Sequence, residues 1–181
     1  MPGTHIALLR GINVGGKNPL PMKALAEEFV AAGCEDVRTF IQSGNVIFGA
    51  PADSDESRLS RLLCERLVKR FSYTAPLVLR TTEELHAAIA NNPYPALGAP
   101  EETLHVMFLT ATPDADAVKK LDPDRSPGDE YQVIGREIYL HLPNGMARTK
   151  LTNAYFDTKL GVTSTARNWR TTTKLLELME A

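Results

Sequence analysis

Gly11 to Lys17 spells G-x-x-x-x-G-K directly after an apolar run, which is the phosphate-cradling P-loop signature without its final hydroxyl. In that signature the glycines let backbone N–H groups approach phosphates, and a Ser or Thr after the lysine binds Mg²⁺. Asn18 stands where the hydroxyl is needed, and Pro19 and Pro21 delay the helix whose N–H groups should face the phosphates. Nucleotide hydrolysis is therefore not expected. A looser chemistry survives, in which Arg10, Gly11, Asn13, Gly15, Gly16 and Lys17 form an anion-binding loop from backbone donors and two cations. The competing reading is a glycine-rich turn between strand and helix.

A second cationic cluster lies near the C-terminus, where Arg167, Asn168 and Arg170 adjoin the start of the last predicted helix, and Arg148 and Lys150 stand before the previous one. Helix N-termini favour anions, and the guanidinium fork matches carboxylate or phosphate. A phosphate- or carboxylate-bearing small molecule held between the first loop and this cluster is the functional expectation. The alternative is that Asn168 caps the helix, Trp169 packs in the core, and the arginines pair with the acidic stretch from Glu101 to Asn144.

Other chemistries lack their residues. His5, His86, His105 and His141 show no ligand spacing, so no metal is expected, and no cofactor motif is present. No Gly-x-Ser-x-Gly elbow or Cys-His signature supplies a nucleophile, and the catalytic residues, if any, are not identifiable. The segments that read as central strands offer too few aromatics to stack bases as an RNA-recognition motif does.

The formal charge is −2, which opposes a constitutive nucleic-acid coat protein. Its distribution is uneven. Glu101 to Asn144 carries four basic and nine acidic residues, whereas Gly145 to Ala181 carries six basic and three acidic, so the tail is the cationic part. The two cysteines, Cys34 and Cys64, have no metal spacing and suit a reducing compartment. With no signal-like N-terminus and no apolar run near the roughly 18 residues a span needs, a soluble cytoplasmic protein without membrane contact is expected.

These residues must be positioned by regular elements. His5 to Leu9 reads as a strand. Met22, Leu25, Ala26, Phe29 and Val30 repeat at helical spacing until Gly33. Val37–Gln42 and Asn45–Phe48 flank Ser43-Gly44 as a hairpin, and Asp53 with Glu56 forms a capping box ahead of Leu59, Leu62, Leu63, Leu67 and Phe71. Ala75–Arg80 is a strand, and Thr81 with Glu84 caps a helix that ends before Pro93. The order then recurs. Leu104–Leu109 is a strand and Thr112-Pro113 opens a helix; Tyr131–Ile134 and Glu137–Leu142 form a hairpin. A helix through Leu151, Ala154, Tyr155 and Thr158 stops at Gly161, Val162–Ala166 is a strand, and Thr172, Leu175, Leu176 and Met179 mark the last helix. The fold class is therefore α+β: two ferredoxin-like, split-βαβ units with mainly antiparallel sheets, spanning 1–92 and 101–181, the second ending in the terminal helix.

Three blocks carry a family resemblance: His5-Ile6-Ala7-Leu8-Leu9-Arg10-Gly11-Ile12-Asn13-Val14-Gly15-Gly16-Lys17-Asn18, Thr39-Phe40-Ile41-Gln42-Ser43-Gly44-Asn45-Val46, and Thr165-Ala166-Arg167-Asn168-Trp169-Arg170-Thr171. Through them the chain resembles the uncharacterised bacterial proteins of the domain-of-unknown-function 1697 family. The resemblance runs effectively the whole chain and implies an α+β protein with ferredoxin-like parts. It lends no activity, cofactor or site residue. Whether the protein is an enzyme stays open, and two alternatives to the anion-binding reading stand beside it: a nucleic-acid-binding module using the cationic tail, and a protein-interaction or assembly module.

Overall fold

The structure, a computed structural model, describes residues 4–52 and 54–181. Its elements run β1 (His5–Leu9), α1 (Met22–Ala31), β2 (Glu35–Phe40), β3 (Asn45–Gly49), α2 (Glu56–Phe71), β4 (Leu77–Thr81) and α3 (Thr82–Ala90). The same order follows as β5 (Leu104–Leu109), α4 (Ala115–Lys119), β6 (Glu130–Ile134), β7 (Glu137–His141), α5 (Asn153–Leu160), β8 (Ser164–Asn168) and α6 (Trp169–Glu180). The chain divides into two compact units, one of residues 1–86 with 175–181 and one of residues 87–174.

In the first unit the strands form one sheet in the order β2-β3-β1-β4, with every neighbouring pair antiparallel. Thus β1 and β2 run parallel with β3 between them, which is the split βαβ arrangement. Period-two alternation sends Ala7, Leu9, Val46, Phe48, Leu77 and Leu79 to one face, where they meet Leu25 and Phe29 of α1 and Leu59, Leu63 and Leu67 of α2. The second unit repeats this as β6-β7-β5-β8, again antiparallel throughout, with Met107, Leu109, Ile138 and Leu140 packed on Tyr155 and Phe156 of α5. The expected α+β class with two antiparallel sheets is what the chain adopts.

Several local expectations differ. Asp53 lies outside the described residues, and the cap of α2 is Asp55, whose carboxylate accepts from the Arg58 N–H at 2.7 Å. Leu62 falls off the Leu59-Leu63-Leu67 line and is 39% exposed. The helix placed at Thr112-Pro113 is the single turn α4, which starts after Asp114 because that carboxylate accepts from both Asp116 N–H and Ala117 N–H. The final strand is displaced by two residues, so Arg167 lies inside β8 opposite Val106. The Thr81–Glu84 box is as expected: Thr81 N–H donates to Glu84 Oε2 at 2.9 Å, and Glu84 N–H donates to Thr81 Oγ1 at 3.2 Å. Among the described residues no helix is long and apolar enough to cross a membrane.

Candidate functional site

The first loop spends its unusual backbone on its own folding. Val14 and Lys17 bridge antiparallel across Gly15-Gly16, whose φ angles of 57° and 73° make a tight two-residue hairpin turn. The Lys17 N–H donates to Val14 O at 3.0 Å and the Asn13 N–H to Asn18 O at 3.1 Å. Asn13, at φ 53°, anchors the loop: its Nδ2 donates to Leu20 O (2.9 Å) and Gln42 O (3.0 Å), and its Oδ1 accepts from Leu20 N–H (2.7 Å). Asn18 Nδ2 donates to Gly11 O at 2.9 Å. Lys17 is exposed, Arg10 half-buried, and α1 starts only at Met22, five residues after Lys17.

The four expected cations of the second unit, Arg148, Lys150, Arg167 and Arg170, have different surroundings. Arg148 sits in an exposed turn with its N–H on Gly145 O at 3.2 Å. Lys150 is exposed, its N–H donating to Ser126 Oγ at 3.0 Å, while that hydroxyl donates to Asp129 Oδ2 at 2.7 Å. Arg167 is buried in β8; its guanidinium donates to Thr165 Oγ1 (2.9 Å) and Ala166 O (2.8 Å), and burial pulls it down to about 10. It remains charged at neutral pH.

Asn168 and Arg170 come together in a pocket of about 260 Å³ that His105, Glu101 and Glu102 also line. Strand register explains the meeting: His105 of β5 lies directly opposite Asn168 of β8, and α6 begins at the next residue. Asn168 caps α6 by accepting the Thr171 N–H at 2.7 Å, and Trp169 is buried, as one of the two expectations for this segment had it. Arg170 is exposed and, among the described residues, engages no carboxylate in an ion pair. His105 Nδ1 is buried with no hydrogen-bond partner, and burial holds the imidazole below its ordinary value of 6.5 against an opposing pull from the Thr103 backbone.

The first unit builds the same corner with different charge. His5 of β1 lies opposite Thr81 of β4, the cap of α3. One residue before each cap is a buried arginine that donates to its predecessor's carbonyl, Arg80 to Leu79 O at 2.7 Å and Arg167 to Ala166 O. The divergence comes after the cap. The first turn of α3 carries Glu83 and Glu84, whereas the first turn of α6 carries no acid and places Arg170 where α3 has Glu83. The helix start in the first unit is therefore satisfied by its own carboxylates, and the one in the second unit is not.

Of the expected anion contacts in the second unit, the pocket unites Asn168 and Arg170 and does not include Arg148, Lys150 or Arg167. His105 is the member that spacing alone misses. Its only signal is its matching place to His5 at the start of each half, which reads more readily as strand packing. Among the described residues no group of three or more His, Cys, Asp or Glu is arranged to hold a metal ion.

Burial of both histidines sets a pH dependence. His5 and His105 are each held below 6.5, so the unfolded chain binds more protons than the folded one as pH falls through that value. Folding stability is expected to be full above pH 6.5 and to fall as the medium is acidified toward the folded values. Urea unfolding at pH 7.5 and 5.0 measures the loss, and His105→Gln should remove part of it. A loss identical in wild type and variant would refute the assignment.

No protein of curated function matches the chain. Among solved structures, a conserved bacterial protein from Streptococcus pneumoniae superposes with a TM-score of 0.75 over 99% of both chains at 22% identity, a likeness of fold. The model of the family described as "Protein of unknown function (DUF1697)" matches residues 3–139, a span that holds the first two of the three blocks and ends before the third. The chain belongs to that family.

Proposed function

We propose that the second unit binds a small metabolite carrying a phosphate or carboxylate, with the anionic group on Arg170 and the first N–H groups of α6, beside His105. The observation that carries this reading is the contrast between twin helix starts: α3 supplies Glu83 and Glu84 to its own first turn, and α6 supplies Arg170 and no acid. An anion from outside would complete the second as carboxylates complete the first. Glu101 and Glu102, exposed on the same pocket, suit hydroxyl or amino donors on the remainder of the ligand. A protonated His105 would add a third contact, so affinity rises as pH falls below the imidazole's ordinary value. Two free cysteines fit work in the reducing cytoplasm. The reading is one of binding; the residues of the pocket name no reaction.

Thermal-shift titration with inorganic phosphate and with phosphoethanolamine tests it. Both should raise the melting temperature in a saturable way, and phosphoethanolamine should bind more tightly because its ammonium meets Glu101 and Glu102. Arg170→Ala should weaken both about fivefold to tenfold, equivalent to about 1–1.4 kcal/mol. Glu101→Gln with Glu102→Gln should erase only the preference for the amine. Equal stabilisation of wild type and Arg170→Ala would overturn the proposal.

A further inference from the structure

The helices that cover the first sheet border two unlike recesses, one toward each end of α2. At one end α1 neutralises α2: Arg70 donates to Glu27 Oε2 at 2.7 Å and Glu28 Oε1 at 2.8 Å, and Arg66 Nε lies 2.9 Å from Glu28 Oε2. At the other end a recess of about 260 Å³ is walled by Ala32, Pro51, Leu59 and Leu62, with Arg58 on its lining. Arg58, Leu62, Arg66 and Arg70 recur every four residues, so one face of α2 runs past both recesses for about 18 Å at 1.5 Å per residue.

The cations at the apolar end follow Asp55 and Glu56 at the start of α2 but form no ion pair with any acid among the described residues. Arg58 and Arg61 are exposed and, among the described residues, neither enters an ion pair, although Arg66 and Arg70 on the same helix both do. Leu62, next to Arg61 and one turn after Arg58, is 39% exposed on the wall of the recess. A largely apolar recess beside guanidiniums that no described carboxylate pairs is complementary to an aliphatic side chain flanked by carboxylates. A nucleic-acid strand would also find charge here, but a recess lined by alanines, proline, leucines, Ser54 and Arg58 offers no aromatic platform for a base.

We propose that the recess at this end of α2 docks an acidic segment of a partner protein, which places one leucine-like side chain there and pairs its carboxylates with Arg58 and Arg61. The inference is independent of the ligand pocket in the second unit. The test is fluorescence anisotropy of the full chain with three labelled probes: the peptide Glu-Glu-Asp-Leu-Glu-Asp-Glu, the same peptide with Ala for Leu, and a single-stranded oligodeoxynucleotide of about ten nucleotides.

The leucine peptide should bind saturably, and the Ala peptide at least fivefold more weakly. The double variant Arg58→Glu/Arg61→Glu should weaken the leucine peptide at least tenfold, and Leu62→Asp at least fivefold, with melting temperatures near wild type because all three side chains are exposed. Tighter binding of the oligonucleotide than of the leucine peptide would overturn the proposal in favour of a nucleic-acid surface. Equal binding of the two peptides, unchanged binding by the double variant, or no binding of the leucine peptide would also overturn it. So would self-association that the double variant abolishes, which would make a second copy the occupant.

Discussion

Gly44→Ala is expected to lower folding stability by about 3 kcal/mol and the melting temperature by roughly 6–12 °C. Two effects add. Gly44 holds φ +79°, a left-handed conformation that costs any residue with a Cβ about 1–2 kcal/mol. A Cβ there would also stand 2.8 Å from both Ile12 Cδ1 and Leu9 Cβ, and both side chains are buried in the first core. Neither can move freely, because Leu9 is strand-bound and the Leu9 N–H donates to Gly44 O at 2.9 Å. Gly98→Ala is the control, since Gly98 has φ +78° and nothing within 4 Å of its added Cβ. It should lose only the backbone component, about 1–2 kcal/mol. Equal losses in the two variants, measured by urea unfolding, would contradict the packing argument.

Asn13→Ala is expected to cost about 2–4 kcal/mol, because one side chain closes three hydrogen bonds and leaves Leu20 N–H and two carbonyls without their partner. The residue also occupies φ 53°, where Asn is tolerated better than Ala. Its bond to Gln42 O ties the first loop to the β2–β3 turn, so the loss should be cooperative with Gly44→Ala when the two are combined. A double variant whose loss equals the sum of the singles would show that the loop and the turn act independently. Hydrogen exchange should show the Leu20 amide opening faster in Asn13→Ala than in wild type.

These two residues show where sequence reading worked and where it stopped. The helical stripes of α1 and α2, apart from the exposed Val30 and Leu62, and the repeated hairpins were legible because apolar periodicity is dictated locally. The Thr81–Glu84 cap was legible for the same reason. Gly44 was readable as a turn residue, but not as a packing element, because its constraint comes from Leu9 and Ile12 some thirty residues away. The glycines at 15 and 16 are ambiguous by nature: a tight hairpin and an anion loop both need left-handed backbone, and only the Val14–Lys17 bridge shows the hairpin. Arg167 reads as a surface cation if the last strand ends at Ala166, and its place inside β8 buries it instead. The pairing of His105 with Asn168 depends on register between strands sixty residues apart, which no spacing in the chain encodes.

The most direct test of the ligand pocket is the imidazole of His105 itself. NMR of protein carrying isotope-labelled histidine should follow all four imidazoles from pH 5 to 8, with and without saturating phosphoethanolamine. His105 should titrate below 6.5 in the free protein, as its burial dictates. Bound anion should favour the imidazolium and raise that value, while His5, His86 and His141 stay unchanged, and Arg170→Ala should abolish the rise. A His105 titration identical with and without the probe, or an equal response from all four histidines, would contradict an anion seated at the start of α6.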